Sequence, residues 1–252
     1  MQHLPKVSVI VPVYNEENYI LKTLEALRLQ TYANKEIIIV NNNSTDNTAL
    51  IIKAFISKYK LTNFYLLYEG RKGTNYAREC ARLFATGEVV AQLDADCVPN
   101  RNWLEMGMNY LMKNNAIALT GPYFYFDTSW VNRNVMITIQ KLTYPLSNHI
   151  VQFFNRGAII IGGNSFIVAS FLKKIGGYNT NLTFYGDDVE LGKRLIEHGK
   201  VLYKNKLQMN TSYRRFKSMG FLKVNKKYQQ FFWNLVFNRA NVNDTIELVH
   251  PR

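Results

Sequence analysis

The stretch VVAQLDADCVPN, Val89 to Asn100, decides how the rest of the chain is read. Val89, Val90, Ala91 and Leu93 make an apolar run of the kind found in buried strands. Pro99 ends it, because a central strand cannot spare the N–H that proline lacks. Residues two apart in a strand point the same way, so Asp94 and Asp96 face one side together. Two carboxylates that close repel unless a cation or a shared proton lies between them. A turn-forming Asp beside an exposed Asp would also fit this stretch taken alone, so its surroundings have to decide.

Upstream, strand and helix patterns alternate. KVSVIVPVY is a β-branched run, and EENYILKTLEALRLQ places Ile20, Leu24 and Leu27 on one helical face. KEIIIV reads as a second buried strand, NNNSTDNT as a turn and cap cluster, and ALIIKAFISKYK as a helix. NFYLLY, TNYARECARLFAT and EVVAQL continue as strand, helix, strand. Such an order predicts βαβ units in a mixed, mostly parallel sheet flanked by helices, with ligands beyond the carboxyl ends of the strands. Residues 12–16, 41–46 and 94–96 all fall at those ends. Asp46 reads as the cap of the helix that follows it.

Downstream the alternation weakens. NWLEMGMNYLMKN is expected to be a helix and AIALTGPYFYF a strand. The aromatic-rich segment Trp130–Phe154, interrupted by Pro145, reads as a broken helix pair. AIIIGGNSFIVAS reads as strand, glycine turn and strand, and DDVELGKRLIEHG as a helix stopped by Gly199.

The 252 residues suffice for a sizeable core, and 47% hydrophobic and 13% aromatic content exclude a disordered chain. Cys80 and Cys97 make no disulfide framework, which points to a reducing, cytoplasmic location. The N-terminus lacks signal-peptide features, and no window is apolar enough for a membrane span. The expected attachment, if any, is peripheral, on the inner face of the cytoplasmic membrane. The net charge of +13 calls for an anionic partner. No acidic residue occurs between His198 and Asn243, where ten lysines and arginines fall.

VSVIVPVYNEE, NNNSTDNT, RKGTNYARECARLFATGEVVAQLDADC, GGNSFIV, IGGYN and GDDVELGKRL occur in this order over roughly residues 6 to 203. Together they resemble the GT-A glycosyltransferases of family 2, inverting enzymes that use nucleotide-sugar donors. The resemblance implies that the Asp-x-Asp pair holds Mn²⁺ or Mg²⁺ against the donor diphosphate, with Asp96 the direct ligand and Asp94 contacting metal, ribose or both. It implies that Pro12, Tyr14 and Glu16 cradle the base, and that Lys72 and Arg78 lie near the donor. Asn41 stands where the family usually has an aspartate that accepts from uracil N3; an amide can accept that bond or donate to another base. Uridine remains the expected base. In GDD, Asp188 corresponds to the general base and Asp187 to the preceding glutamate. Two acids at a helix start also suit the helix dipole. Gly162, Gly163 and Asn164 are expected to shape a wall shared by sugar and acceptor. Arg214 and Arg215 resemble a basic motif that neutralises the leaving diphosphate. A third metal ligand is unassigned, and Phe232 replaces the arginine of the Gln-x-x-Arg-Trp motif of processive members.

The expected organisation is a catalytic domain over residues 1–205, with a nucleotide-sugar half to residue 100 and an acceptor half after it. A basic amphipathic extension over 206–252 follows, its Phe221, Val224, Tyr228 and Leu235 on one helical face. This extension and the aromatic segment suggest an anionic membrane surface and a glycan or lipid-linked acceptor in cell-envelope polysaccharide synthesis. Two rivals stand: a nucleotidyltransferase, for which PVYNEE is a poor phosphate loop, and a non-catalytic basic module. Acids lining the groove make nucleic acid an unlikely partner.

Overall fold

In the computed structural model, residues 4–154, 156–182, 186–220 and 226 are described. A seven-stranded sheet runs in the order β3-β2-β1-β4-β7-β5-β8. Strands β1 (Val7–Val13), β2 (Lys35–Asn41), β3 (Phe64–Tyr68) and β4 (Val89–Leu93) are parallel to one another. They alternate with helices α1 (Ile20–Arg28), α2 (Thr48–Tyr59) and α3 (Thr74–Phe84), as the periodicity predicts. Buried on both faces, β1, β2 and β4 are close to uniformly apolar, which is what a central parallel strand requires. Ile20, Leu24 and Leu27 of α1 are fully buried against this sheet.

Chain order reverses at β1: β2 and β3 add on one side, β4 on the other. The carboxyl ends of β1 and β4 therefore flank a crevice, the usual ligand position in an open α/β sheet. After α4 (Trp103–Asn114) come β5 (Ala118–Thr120), β6 (Tyr123–Tyr125), α5 (Trp130–Phe153) and β7 (Asn164–Val168). Then follow α6 (Ala169–Lys174), α7 (Asp187–Ile196), β8 (Val201–Tyr203), β9 (Met209–Thr211) and α8 (Arg214–Met219). β7 runs antiparallel to β4 with Asn164 opposite Leu93, so Gly162 and Gly163 are carried to the side of Asp94.

Three expectations change. AIALTGPYFYF is two strands rather than one: after Gly121–Pro122, β6 leaves the main sheet and pairs with β9. Only the second half of AIIIGGNSFIVAS is a strand. Ile159 N–H bonds to Asn148 Oδ1 and Ile161 N–H to Thr120 Oγ1, so side chains replace a ladder there. Trp130–Phe153 is one continuous helix of 24 residues with Pro145 inside it. Proline strands the carbonyl four residues earlier. That carbonyl, of Lys141, accepts from Asn205 Nδ2 at 3.2 Å, which offsets the loss. The segment from 206 starts with packed structure, since β9 joins β6 and α8 carries Phe216 into a cluster with Tyr125, Met136 and Tyr213. The aromatic stripe Phe221–Leu235 and the Gln229–Trp233 motif lie outside the described residues.

Candidate active site at the strand ends

β1 delivers Pro12 and then Tyr14, both half-buried, before the chain turns at Asn15 with a positive φ of 52°. Asn15 Oδ1 accepts from Thr45 N–H at 2.8 Å, and Glu16 N–H donates to Thr48 Oγ1 at 2.7 Å. The turn after β1 is thus fastened to the start of α2. Asp46 accepts from the N–H groups of Thr48 and Glu17. Burial pushes its carboxyl up, but these bonds outweigh it and hold the group below the usual range. Asp46 is a cap, as its position suggests. Asn41 is buried, and its Oδ1 accepts from Ser44 N–H at 3.1 Å. Asn42 was not singled out by sequence, yet it bonds Glu69 O, Arg71 O and Gly73 N–H and so fixes the loop entering α3. Lys72 lies exposed on that loop.

α3 points Arg78 into the crevice, 5% exposed. Its Nη1 lies 2.7 Å from Asp187 Oδ2 and 3.5 Å from Asp188 Oδ1, and Nη2 lies 3.6 Å from Asp94 Oδ1. One guanidinium thus faces three carboxylates contributed by two distant segments. Asp188 Oδ2 also accepts from Gly162 N–H at 2.9 Å. Burial and then the charge of Asp187 push the Asp188 carboxyl up to about 7, against the pull of Arg78. Burial raises Asp187 as well, again opposed by Arg78.

Tyr123, at the start of β6, bridges the two walls. Its hydroxyl donates to Asp94 Oδ2 at 3.2 Å and accepts from Gly163 N–H at 3.0 Å. Burial, and then Asp94, hold the phenol well above its ordinary range, so it stays a donor. A methyl group on Gly162 would overlap Arg78 Nη2 and Asp188 Oδ1, and one on Gly163 would overlap Tyr123 Oη and Asp94 Oδ2. Glycine is required at both places by close approach. Asn164 acts from behind this wall: fully buried, it accepts from Trp103 Nε1 at 2.9 Å and donates to Leu207 O at 2.7 Å.

The other side of the crevice is closed by Arg214. Its Nη2 lies 2.6 Å from Glu16 Oε1 and 3.1 Å from Asp96 Oδ2, and its guanidinium lies over the Tyr19 ring at 4.5 Å. Asp127 orders this approach by accepting from Ser212 Oγ at 2.6 Å and from Tyr213 N–H. Arg215 is half-buried, and its charge also lowers the Asp96 carboxyl. Burial nevertheless pushes Asp96 up to about 6; Arg214 opposes this while Asp94 and Glu16 reinforce it. Asp94, Asp96 and Cys97 place ligand atoms within 4.8 Å of one another. The two carboxylates suit a hard divalent cation. The soft sulfur of Cys97 suits such a cation less well than the carboxylate oxygens do.

The glycosyl transferase family 2 model matches residues 8–176. The chain belongs to this family. Glycosyltransferase AglE of Haloferax volcanii is 40% identical over 202 residues, which is 79% of this chain and 64% of AglE. A second relative is the Escherichia coli protein named UDP-Glc:alpha-D-GlcNAc-diphosphoundecaprenol beta-1,3-glucosyltransferase WfgD. It is 34% identical over 139 residues, covering 55% of this chain and 53% of WfgD. The chain therefore spans less than two thirds of either relative. Among solved structures, S. aureus TarS 1-349 superposes with a TM-score of 0.66 at 19% identity, over 97% of this chain and 75% of TarS. Mannosyltransferase PcManGT of Pyrobaculum calidifontis, in complex with GDP-Man and Mn2+, gives 0.66 at 20% identity, over 96% and 70%. These likenesses establish the GT-A fold expected from the sequence.

Proposed function

We propose that this family 2 chain transfers a sugar from a nucleotide-sugar to an acceptor hydroxyl with inversion at the anomeric carbon. The observation that carries the reading is the meeting of Asp94, from the Asp94–Asp96 pair, with Asp187 and Asp188 around Arg78 at the switch point of the sheet. Asp188 has the properties of a general base: a carboxylate raised to about 7, oriented by Gly162 N–H. In one displacement the acceptor oxygen bonds to the anomeric carbon as its proton passes to Asp188. The bond from that carbon to the diphosphate oxygen breaks, and its electrons leave with the nucleoside diphosphate.

Asp96, with Asp94, would hold Mn²⁺ or Mg²⁺, which supplies Lewis-acid stabilisation of the leaving diphosphate when bound. Pro12, Tyr14, Glu16 and Asn41 border the base and ribose. Arg214 and Arg215 face the diphosphate, and Lys72 reaches it from the loop before α3. Gly162 and Gly163 let Arg78, Asp188, Tyr123 and Asp94 close on the backbone of the wall that sugar and acceptor would share, with Asn164 behind them. Uridine is the first choice of base. A TarS structure in complex with UDP-GlcNAc shares this fold, whereas PcManGT carries GDP-Man, so the base is the feature to test. A lipid-linked acceptor in envelope glycan synthesis, reached from the cytoplasmic side, is favoured by the acceptor in the name of WfgD.

Calorimetric titration of UDP with and without Mn²⁺, repeated on Asp96→Asn, tests the donor site. Metal-dependent binding lost in the variant is expected. Binding of GDP but not UDP would move the base assignment, and no nucleotide binding would overturn the transferase reading. With a donor in hand, Asp188→Asn is expected to lower kcat by about 10²–10⁴-fold while nucleotide binding persists.

A further inference from the structure

Helix α5 is apolar on its outward side as well as its inward one. The side it turns to the body buries Met136, Ile137 and Val151 and is also held by amides: Gln140 accepts from Tyr123 N–H at 2.9 Å and donates to Tyr123 O at 3.1 Å. Asn148 accepts from Ile159 N–H at 2.8 Å, and Gln152 donates to Val201 O at 2.9 Å. The opposite side carries Val135, Ile139, Leu142, Leu146, Ile150 and Phe153, all exposed. Their steps of four, three, four, four and three residues place them in one stripe along the helix. Leu142 is 68% exposed, Leu146 61% and Phe153 77%, and Trp130, 74% exposed, stands at the first turn. A helix on the surface of a water-soluble body is polar on its outward side, and a contiguous apolar patch of this kind marks an interaction surface.

Charge identifies the occupant. Between Asp127 and Asp187 the sequence has no acidic residue, while Arg133, Lys141, Arg156, Lys173 and Lys174 are basic. A second copy would bring the same net charge of +13 against itself. No described helix is long and apolar enough to cross a membrane, so a 24-residue helix about 36 Å long can meet lipid only by lying along it. We propose that α5 is a docking helix for an anionic bilayer surface, with its apolar stripe in the acyl boundary and Lys141 and Arg156 near the headgroups; Arg133 is instead held by the carbonyls of Tyr125, Phe126 and Thr128. The Gln140–Tyr123 bonds couple the helix to β6, and the Tyr123 hydroxyl touches Asp94. Docking would therefore bring the carboxylate site beside the lipid surface, a consequence that rests on the proposed transfer to a lipid-linked acceptor. Lipid binding itself does not.

The test is co-sedimentation of the full chain with vesicles of phosphatidylcholine and phosphatidylglycerol, against vesicles of phosphatidylcholine alone. Binding is expected to the anionic vesicles, and to fall at least about tenfold in Leu142→Glu/Leu146→Glu. Leu142→Gln/Leu146→Gln, which keeps helix propensity and adds no charge, is expected to weaken binding by a smaller factor, with the melting temperature retained. Unchanged binding in a folded double variant would overturn the assignment to α5. Equal binding to neutral vesicles would overturn the anionic requirement. A dimer in vesicle-free solution that both variants dissociate would give the stripe to a second copy and overturn the proposal. Failure of every nucleotide to bind would sink the transferase reading while leaving the vesicle result to stand or fall separately.

Discussion

Arg78 enters the crevice from the middle of α3 and keeps 6% of its side chain exposed, whereas Arg214 enters at the start of the six-residue helix α8 with 30% exposed. Each faces carboxylates from distant parts of the chain: Asp94, Asp187 and Asp188 around the first, Glu16 and Asp96 around the second. The surroundings differ in what they permit. Arg78 is enclosed by the sheet, the Gly162–Gly163 wall and α7, so its charge is part of the fold. Arg214 belongs to a short element held by Asp127 and Tyr19, and its ion pair with Asp96 is partly open to solvent. A buried positive charge organises the proposed base, and a partly exposed one attends the proposed donor.

The largest effect should come from Arg78→Gln. It leaves buried carboxylates uncompensated, which typically costs about 3–5 kcal/mol. For a chain of this size the melting temperature is expected to drop by roughly 6–20 °C. The sign of its pH dependence follows from the raised carboxyls: the loss should shrink as pH falls and they take up protons, and grow as pH rises. A loss that is the same at pH 5 and pH 8 would show that Arg78 acts through packing instead of charge. Arg214→Gln sharpens the contrast. Its melting temperature is expected to fall less than that of Arg78→Gln, because one buried carboxylate, Glu16, loses its cation instead of a cluster of three and Arg214 is itself 30% exposed. Nucleotide affinity or transfer should fall by roughly 10–100-fold, the range for a lost charge-assisted hydrogen bond. A large loss of stability there would erase the distinction between the two arginines.

The pH profile divides the site more finely. A base must be ionised, so kcat/KM should rise about tenfold per pH unit below the Asp188 value of about 7 and level above it. After burial, the charge of Asp187 is the next cause of that elevation. Asp187→Asn should therefore move the acidic limb to lower pH, because it removes a like charge and leaves Arg78 freer to attract Asp188. A limb that stays in place would mean that Asp188 is not the group being titrated.

The parallel half was legible because each of its elements carries its own signal. The apolar runs of β1, β2 and β4 and the stripe Ile20, Leu24, Leu27 follow from local burial alone, and the acids at their ends follow from the chain direction. In the second half, structure depends on contacts that local pattern does not encode. Pro145 looks like a helix breaker until Asn205 supplies the bond that Lys141 O has lost. AIALTGPYFYF looks like one strand because nothing in its alternation reveals that β9 will capture its second part. The site shows the same divide. Asp94, Asp96, Asp187, Asp188, Arg78 and Arg214, which carry charge and fall within family motifs, were singled out from the sequence and are brought together. Tyr123, Asp127 and Gln140 were not, since one tyrosine among 16 has no mark of its own.

Tyr123→Phe is the mildest change and the most informative about how the two walls communicate. It deletes the hydroxyl that links Asp94 Oδ2 to Gly163 N–H and leaves the ring to pack near Tyr125. The peptide N–H of Gly163 loses its acceptor, and Asp94 loses a donor. A neutral hydrogen bond contributes on the order of 1 kcal/mol, so metal-dependent nucleotide affinity is expected to weaken about fivefold. The melting temperature should fall by only a few degrees. If Tyr123 merely positions Asp94, the weakening appears in KM for the donor, the acidic limb stays near pH 7 and kcat is little changed. A loss of kcat of a hundredfold or more with KM unchanged would require the hydroxyl to touch the reacting atoms, and would move Tyr123 from the support of the metal carboxylate into the chemistry itself.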